Sequence, residues 1–427
     1  MALAQKAALL AASGLTTLIA SGPASAQYFE RDRNESVRER PQPDYDPIGV
    51  AVGAFRAYAT LPLGVSYNDN VFATENNELD DTVFVVAPSA ELRSQWSRHF
   101  LGIYADLNNQ THNDLESENR TNFSVSSSGR LDVQRGFTVD GQFAHRWYQE
   151  ARTEASSPAN TLEPIDYTDV LVGLGASKEF NRLRFSGRVN HEEFDFDNAI
   201  LNDGMATVVL QDDRDHEALT FSGRADYAVT DATAVFGAVS SRQRDYALQP
   251  NDDPRVAFSR DSKGMTYSFG ANFDLTRLVR GEVAVGYLTE EFIDPAFGDV
   301  DGLSTSASIE WFATPVATVE FTAERSVTDT GISGAAASLT TVLGARIDYE
   351  LRRNVIVTGQ LSHRDDEYEG IARDDAALAA AVDVVYLFNR HVGASVSYGL
   401  AQRESSGVAR GPEFDQQRFG LNLVLRY

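Results

Sequence analysis

Residues Phe419 to Tyr427, FGLNLVLRY, end the chain with Phe419, Leu421, Leu423, Leu425 and Tyr427 alternating against Gly420, Asn422, Val424 and Arg426. A period of two is that of a β-strand, whose successive side chains point to opposite faces. One face of this strand is wholly apolar, and the other ends on Arg426, with Arg418 in step just upstream. Such a strand either packs its apolar face on a protein core or turns it to lipid. How often the pattern recurs decides between the two.

It recurs along almost the whole chain. Phe123, Val125, Gly129, Leu131 and Val133 oppose Ser124, Ser126, Ser128, Arg130 and Asp132, and Leu219, Phe221, Ala225 and Tyr227 oppose Thr220, Ser222, Arg224 and Asp226. The alternation continues in Met265, Tyr267, Phe269, Ala271 and Phe273, and again in Ala317, Val319, Phe321 and Ala323. The connections alternate as well. Tight turns at Arg135-Gly136, Asn181-Arg182, Thr230-Asp231, Arg353-Asn354 and Asn389-Arg390 are interleaved with long polar loops such as Ala151 to Pro164 and Thr328 to Ala335. Short turns on one rim and long loops on the other are the asymmetry of an outer-membrane barrel, with the turns periplasmic and the loops extracellular. The expected fold is therefore all-β: a transmembrane antiparallel up-and-down β-barrel of about eighteen strands, or about sixteen if two merge. The expected barrel occupies 54–427. Trp96, Trp147, Trp311, Tyr349, Tyr386, Phe388 and Tyr398 sit near strand ends and read as interfacial girdles. Phe419, Leu421, Leu423, Leu425 and Tyr427 also read as the signal for the barrel-assembly machinery.

Composition agrees. A mean hydropathy of -0.29 and 42% hydrophobic residues are what alternating lipid-facing and water-facing side chains average to. Lys6, the apolar stretch Ala7 to Ala20 and Ala24-Ser25-Ala26 have the order of a secretory signal peptide, expected to cover 1–26. Residues 27–53, rich in charge and proline without apolar periodicity, read as a flexible periplasmic arm. No stretch reads as a plug. The absence of cysteine removes disulfides and thiolate sites, and a net charge of -25 argues against nucleic acid as a partner.

The segment Gly64 to Pro88, GVSYNDNVFATENNELDDTVFVVAP, resembles the opening hairpin of the putative beta-barrel porin type 2 family through Asp69, Asn70, Val71, Asp80, Asp81 and Pro88. The resemblance implies an outer-membrane barrel, of a family whose members are often linked to exopolysaccharide or capsule production and export. On the residues themselves, Asp69 and Asn70 read first as loop-end and turn chemistry, ahead of ligand contact.

Chemistry-bearing residues point to a conduit. Parity places Arg56, Arg93, Arg130, Arg184, Arg188, Arg224, Glu320, Glu324, Arg346 and Asp348 on the lumenal face. Individually they read as cross-strand ties that stiffen the wall; together they could form a charged constriction. His145, His191 and His363 lie in step with the apolar face, and a surface hydrolase is the lesser reading of them. No cofactor and no metal is expected. Expected partners are outer-membrane lipid and lipopolysaccharide, the barrel-assembly machinery, and polysaccharide or periplasmic export components. The leading expectation is a non-enzymatic channel serving exopolysaccharide export. A general or solute-specific uptake porin, and a structural surface-interaction barrel with a closed lumen, are the alternatives.

Overall fold

The computed structural model describes residues 35–157, 160–249, 258–332 and 334–427, so the proposed signal peptide lies outside the described residues. Eighteen staves form the wall. They are β1 (Phe55–Asn68), β2 (Asp81–Val86 continued by Ser89–Ser94), β3 (Phe100–His112), β4 (Arg120–Gln134), β5 (Phe137–Gln149) and β6 (Asp166–Phe180). Next come β7 (Leu183–Phe196), β8 (His216–Thr230), β9 (Thr233–Tyr246), β10 (Ser262–Leu275), β11 (Val279–Phe292) and β12 (Val300–Thr314). The wall ends with β13 (Ala317–Thr328), β14 (Ala337–Arg352), β15 (Val355–Glu369), β16 (Asp374–Leu387), β17 (Val392–Ser406) and β18 (Phe414–Arg426).

Each stave pairs antiparallel with its sequence neighbours, and β18 returns to β1 in register from Thr60↔Arg426 to Asn68↔Arg418. That last ladder closes the sheet and removes its edges, which is what lets a sheet cross a membrane with its backbone satisfied. The closing strand read from the sequence is thus the final stave, paired on both sides. Stave β2 is interrupted where Pro88 has no N–H to give. Its carbonyl instead accepts from Leu107 N at 3.0 Å, while Ala87 N reaches Pro62 O at 3.1 Å.

Alternation sorts the two faces as expected. In β18 the odd positions Phe419, Leu421, Leu423 and Leu425 are exposed on the outside, whereas Asn422, Val424 and Arg426 are buried on the lumenal side. Two aromatic rows bound the outer apolar band. Tyr67, Phe419 and Tyr398 are aligned across β1, β18 and β17, and Tyr267 faces Tyr287 across β10 and β11. Trp311, Tyr349, Tyr386, Phe388 and Tyr427 are exposed at the short-turn rim. From Phe419 to Tyr427 the strand rises ~27 Å at ~3.4 Å per residue, enough after tilting to cross the apolar layer. The ladder continues beyond the upper row to Phe414 and Ser406, so the wall projects past the lipid.

One expectation fails inside this wall. From Glu35 onward the N-terminal arm is seated in the barrel and does not hang free. Val37 is fully buried, with its N–H donating to Thr318 Oγ1 at 3.1 Å. Arg40 donates to Glu350 at 2.9 Å, Arg280 to Glu39 at 2.6 Å, and Arg390 to Pro43 O at 2.8 Å. Tyr45 packs on Val385, Leu387 and Val424. Polar, proline-bearing composition predicts disorder only when no partner surface is supplied, and here the charged lumen wall supplies one. Two of the long loops also turn inward, into the lumen.

Candidate functional site

The lumen is the candidate site, and its wall charges are mostly tied to one another. Arg224 on β8 is held by Asp226 at 2.8 Å and by Glu282 on β11 at 2.7 Å. Arg188 pairs with Asp140, Arg184 with Glu179, and Arg93 with Glu91. Arg130 lies 3.2 Å from Asp132. Arg346 donates to Asp348 at 3.0 Å, and Asp348 also accepts from Thr358 at 2.7 Å. Arg56 donates to Ile48 O at 2.7 Å, beside the N-terminal segment. Glu324 accepts from Ser326 at 3.5 Å. Glu320 lies near Arg38 and Glu310. The lumen-lining set thus divides between wall ties and, at the short-turn end, contacts with the N-terminal segment. It does not converge into one charged ring.

The narrowing lies elsewhere. The β5–β6 loop turns in behind a buried ion pair, Arg152 to Glu118 at 2.7 Å, and Arg152 also donates to Thr161. Glu150 at its root accepts from Arg214 at 2.6 Å. Its tip reaches the opposite wall: Thr153 O accepts from Arg403 of β17 at 3.1 Å. The β13–β14 loop turns in from another quarter. Asp329 accepts from the Tyr246 hydroxyl on β9, and Thr330 O accepts from Arg260, both contacts passing over β10 to β12. A loop bonded to staves well away from its own must leave the wall and overhang the lumen, and so these two narrow the mouth.

The electrostatics of the two loops differ in sign. Burial pushes the Glu154 carboxyl up, and Arg364 and Arg403 offset only part of that because Glu150 and Asp366 are also near. Burial also disfavours ionised Asp329, but Arg244, His216, Arg260 and the Tyr246 hydroxyl together hold its carboxyl below the ordinary value. The β13–β14 loop is therefore clasped as an anion, whereas burial in the β5–β6 loop raises the cost of ionising Glu154 without a matching clasp.

An arc of inward aromatic rings underlies these loops. Tyr148 meets Tyr167 edge-on at 6.2 Å, and Tyr167 stacks on Phe196 at 5.2 Å. Phe194 stacks on His216 at 4.8 Å, and His216 lies 5.1 Å from Tyr246. The rings run across β5, β6, β7, β8 and β9, with Arg214 over Phe196 at 4.0 Å. Reading aromatics near strand ends as lipid girdles passes over this arc. Parity was the available signal, since Tyr148 is in step with inward Arg146 and Tyr167 with inward Asp169.

The family model described as Putative beta-barrel porin 2 matches residues 42–427. The chain belongs to this family. No curated protein matches the chain. Among solved structures, OpdK of Pseudomonas aeruginosa is 12% identical at a TM-score of 0.43, covering 87% of this chain and 99% of that one. OpdO of the same organism is 13% identical at 0.44, covering 88% and 98%. A BenF-like porin from Pseudomonas fluorescens Pf-5 is 12% identical at 0.45, covering 88% and 100%. Membership in the porin 2 family and the girdled apolar band make this an outer-membrane, porin-like barrel whose short-turn rim is periplasmic and whose long-loop rim is extracellular.

The residues that carry the porin 2 resemblance form a clasp at the extracellular end of the β1–β18 seam. Asn70 is fully buried; its Nδ2 donates to Thr74 O at 2.8 Å and to Asp415 O at 2.9 Å, and its Oδ1 accepts from Thr74 N at 3.0 Å. Asp69 Oδ1 accepts from Gln417 N, Asp80 from the Tyr67 hydroxyl at 3.1 Å, and Val71 N reaches Leu79 O at 2.8 Å. Asp81 accepts from Leu115 N at 3.0 Å and lies 3.2 Å from His112. Pro88 sits at the break in β2. These contacts are structural, tying the first three staves to one another and to the last. The three outward histidines do not meet: His145 stacks on Trp147 at 3.7 Å, His363 pairs with Asp365 at 2.9 Å, and His191 lies between Val172 and Leu219 on the outer wall. None is hydrogen-bonded to a serine among the described residues.

Proposed function

We propose that this porin 2 barrel is a passive conduit for hydroxyl-rich solutes, secreted polysaccharide foremost, and that it performs no covalent chemistry. The observation that carries the reading is the inward aromatic arc from Tyr148 to Tyr246 beneath the crossing loops. An aromatic face is electron-rich and attracts the weakly positive C–H faces of a pyranose, while nearby Arg and carboxylate groups can exchange hydrogen bonds with its hydroxyls. A ladder of such rings offers a chain of sugars repeated weak footholds, favourable enough to enter and weak enough to leave. Transfer would follow the concentration gradient. The crossing loops would limit size, and the N-terminal segment would stand at the periplasmic mouth, where an export partner could engage it.

The test is planar-bilayer recording of the purified barrel with neutral oligosaccharides on either side. Expected are ion conductance and oligosaccharide-dependent current blocks that shorten in Tyr167→Ala. Absence of conductance, even after the crossing loops are trimmed, would sink the conduit and leave the structural barrel. Conductance blocked by small charged solutes and indifferent to oligosaccharides would favour the uptake porin.

A further inference from the structure

Between the two crossing loops and the β14–β15 wall lies a cavity of about 150 Å³. At ~30 Å³ per water this holds ~5 waters, the room of one sugar ring. Its lining is almost entirely polar and carries both charges. Glu154 and Ser156 come from the β5–β6 loop, Thr330 from the β13–β14 loop, Ser338 from β14, and Arg364 and Tyr368 from β15. No single strand or loop builds it. It exists only because the loops fold in.

The bonding within the lining is uneven. Asp329 is clasped by Tyr246, and Arg214 by Glu150. Ser156 donates to Glu150 at 2.6 Å, and the Tyr368 hydroxyl lies 3.2 Å from Asp375. Arg364, which lines the cavity, gives its Nε to Asp366 at 2.7 Å, and its terminal nitrogens make no hydrogen bond among the described residues. Glu154 has no hydrogen bond or ion pair to its carboxylate among the described residues, although Arg364 is the strongest cationic influence on it. A carboxylate and a guanidinium that face one cavity without touching are complementary to something that bridges them.

We propose that this cavity binds one neutral sugar ring. Adjacent hydroxyls would donate to Glu154 and accept from Arg364, with the Tyr368 ring giving an apolar seat and Ser156, Thr330 and Ser338 completing the polar shell. A simple anion would meet repulsion from Glu154 and Asp329, and a simple cation would meet repulsion from Arg364 and Arg214. A uronate would set its own carboxylate against Glu154. A neutral polyol satisfies both charges at once, because each hydroxyl is donor and acceptor. The inference rests on the saccharide reading of the channel for its ligand class. It adds a discrete site at the extracellular end where a chain would be held by one ring.

The test uses the full-length barrel in detergent, with binding of D-glucose, D-galactose and D-glucuronate followed by saturation-transfer NMR. Expected is saturable binding of at least one of the two hexoses, with glucuronate weaker. Glu154→Gln and Arg364→Met should each weaken it about tenfold or more, the loss of one charge-assisted hydrogen bond. Thr330→Trp, which fills the cavity from the β13–β14 loop, should abolish it. The heat-dependent gel shift of a folded barrel confirms that each variant is intact. No saturable hexose binding, a preference for glucuronate, or binding indifferent to all three substitutions in folded protein would overturn the proposal. The two readings fail separately. Oligosaccharide block of current without hexose binding in detergent removes this site and keeps the conduit; hexose binding without conductance keeps the site and removes the conduit.

Discussion

The two ends of the lumen are obstructed in different ways. At the extracellular end the ion pairs that root the loops are desolvated: the side chains of Arg152 and Glu118 are 5% and 3% exposed, and those of Arg214 and Glu150 are 5% and 6% exposed. At the periplasmic end the N-terminal segment is pinned by wetter contacts, with Arg280 and Glu39 26% and 27% exposed and Arg40, 26% exposed, reaching a Glu350 that is 6% exposed. The segment's contacts run over staves from β11 round to β1. A charge left unpaired in a dry site costs far more than one left in water. The outer obstruction is thus a fixture, and the inner one is a wedge that yields to a modest force.

The strongest way to break this contrast is at the outer fixture. Arg214→Ala strands Glu150, and Arg152→Ala strands Glu118, each costing about 3–5 kcal/mol locally. Either should free the β5–β6 loop, raise single-channel conductance and expose the loop to protease; unchanged conductance and protection in both would show that the pairs do not hold it. Next in size is Asn70→Ala at the seam, which leaves several buried backbone partners unmet at about 1–3 kcal/mol. It should lower the temperature of the gel-mobility transition while conductance stays near wild type. At the inner wedge, Glu39→Ala, which leaves Arg280 still paired with Glu310, should cost only about 0.2–1 kcal/mol. The expected readout is faster current noise, without a change in the fully open level or in the gel-mobility transition. A large stability loss there would erase the distinction between the ends.

The smallest expected effect is on pH, and it separates the two loops. Burial raises Glu154, so ionising it opposes the folded-in position of its loop, and closure strengthens as pH falls through the raised value. Asp329 is held low by Arg244, His216, Arg260 and Tyr246, so its contribution is present at neutral pH and is lost only as pH falls through that depressed value. Mild acid should therefore reduce open time in the wild type, strong acid should reverse the trend, and Glu154→Gln should flatten the first limb. Recordings between neutral and acid pH check this directly. A first limb retained in Glu154→Gln would assign the effect to another group.

What the sequence could reveal follows the range of the forces involved. Stave number, face and seam are local, because FGLNLVLRY and its upstream repeats carry their own alternation and their own turns. Arg418 and Arg426 fall on the lumenal side for that reason. The seating of residues 35–48 is not local. Val37 is met by Thr318, Arg40 by Glu350 and Arg390 by Pro43, hundreds of positions away, and nothing in a charged proline-bearing stretch distinguishes a seated wedge from a free arm. The same holds for EARTEASS at 150–157, whose polarity suits water outside a barrel or charges within it. The aromatic arc was half legible. Its parity was visible, but Tyr148 and Tyr167 acquire meaning only when five staves bring six rings together.

The seat of Tyr45 sets an order in time. It is built from Val385 and Leu387 of β16 and Val424 of β18, the stave that joins the chain's end to its beginning. That seat is incomplete until β18 has taken its place. Assembly must therefore finish the wall before the wedge can be fully seated, and a nascent barrel passes through a stage with its periplasmic door unhung.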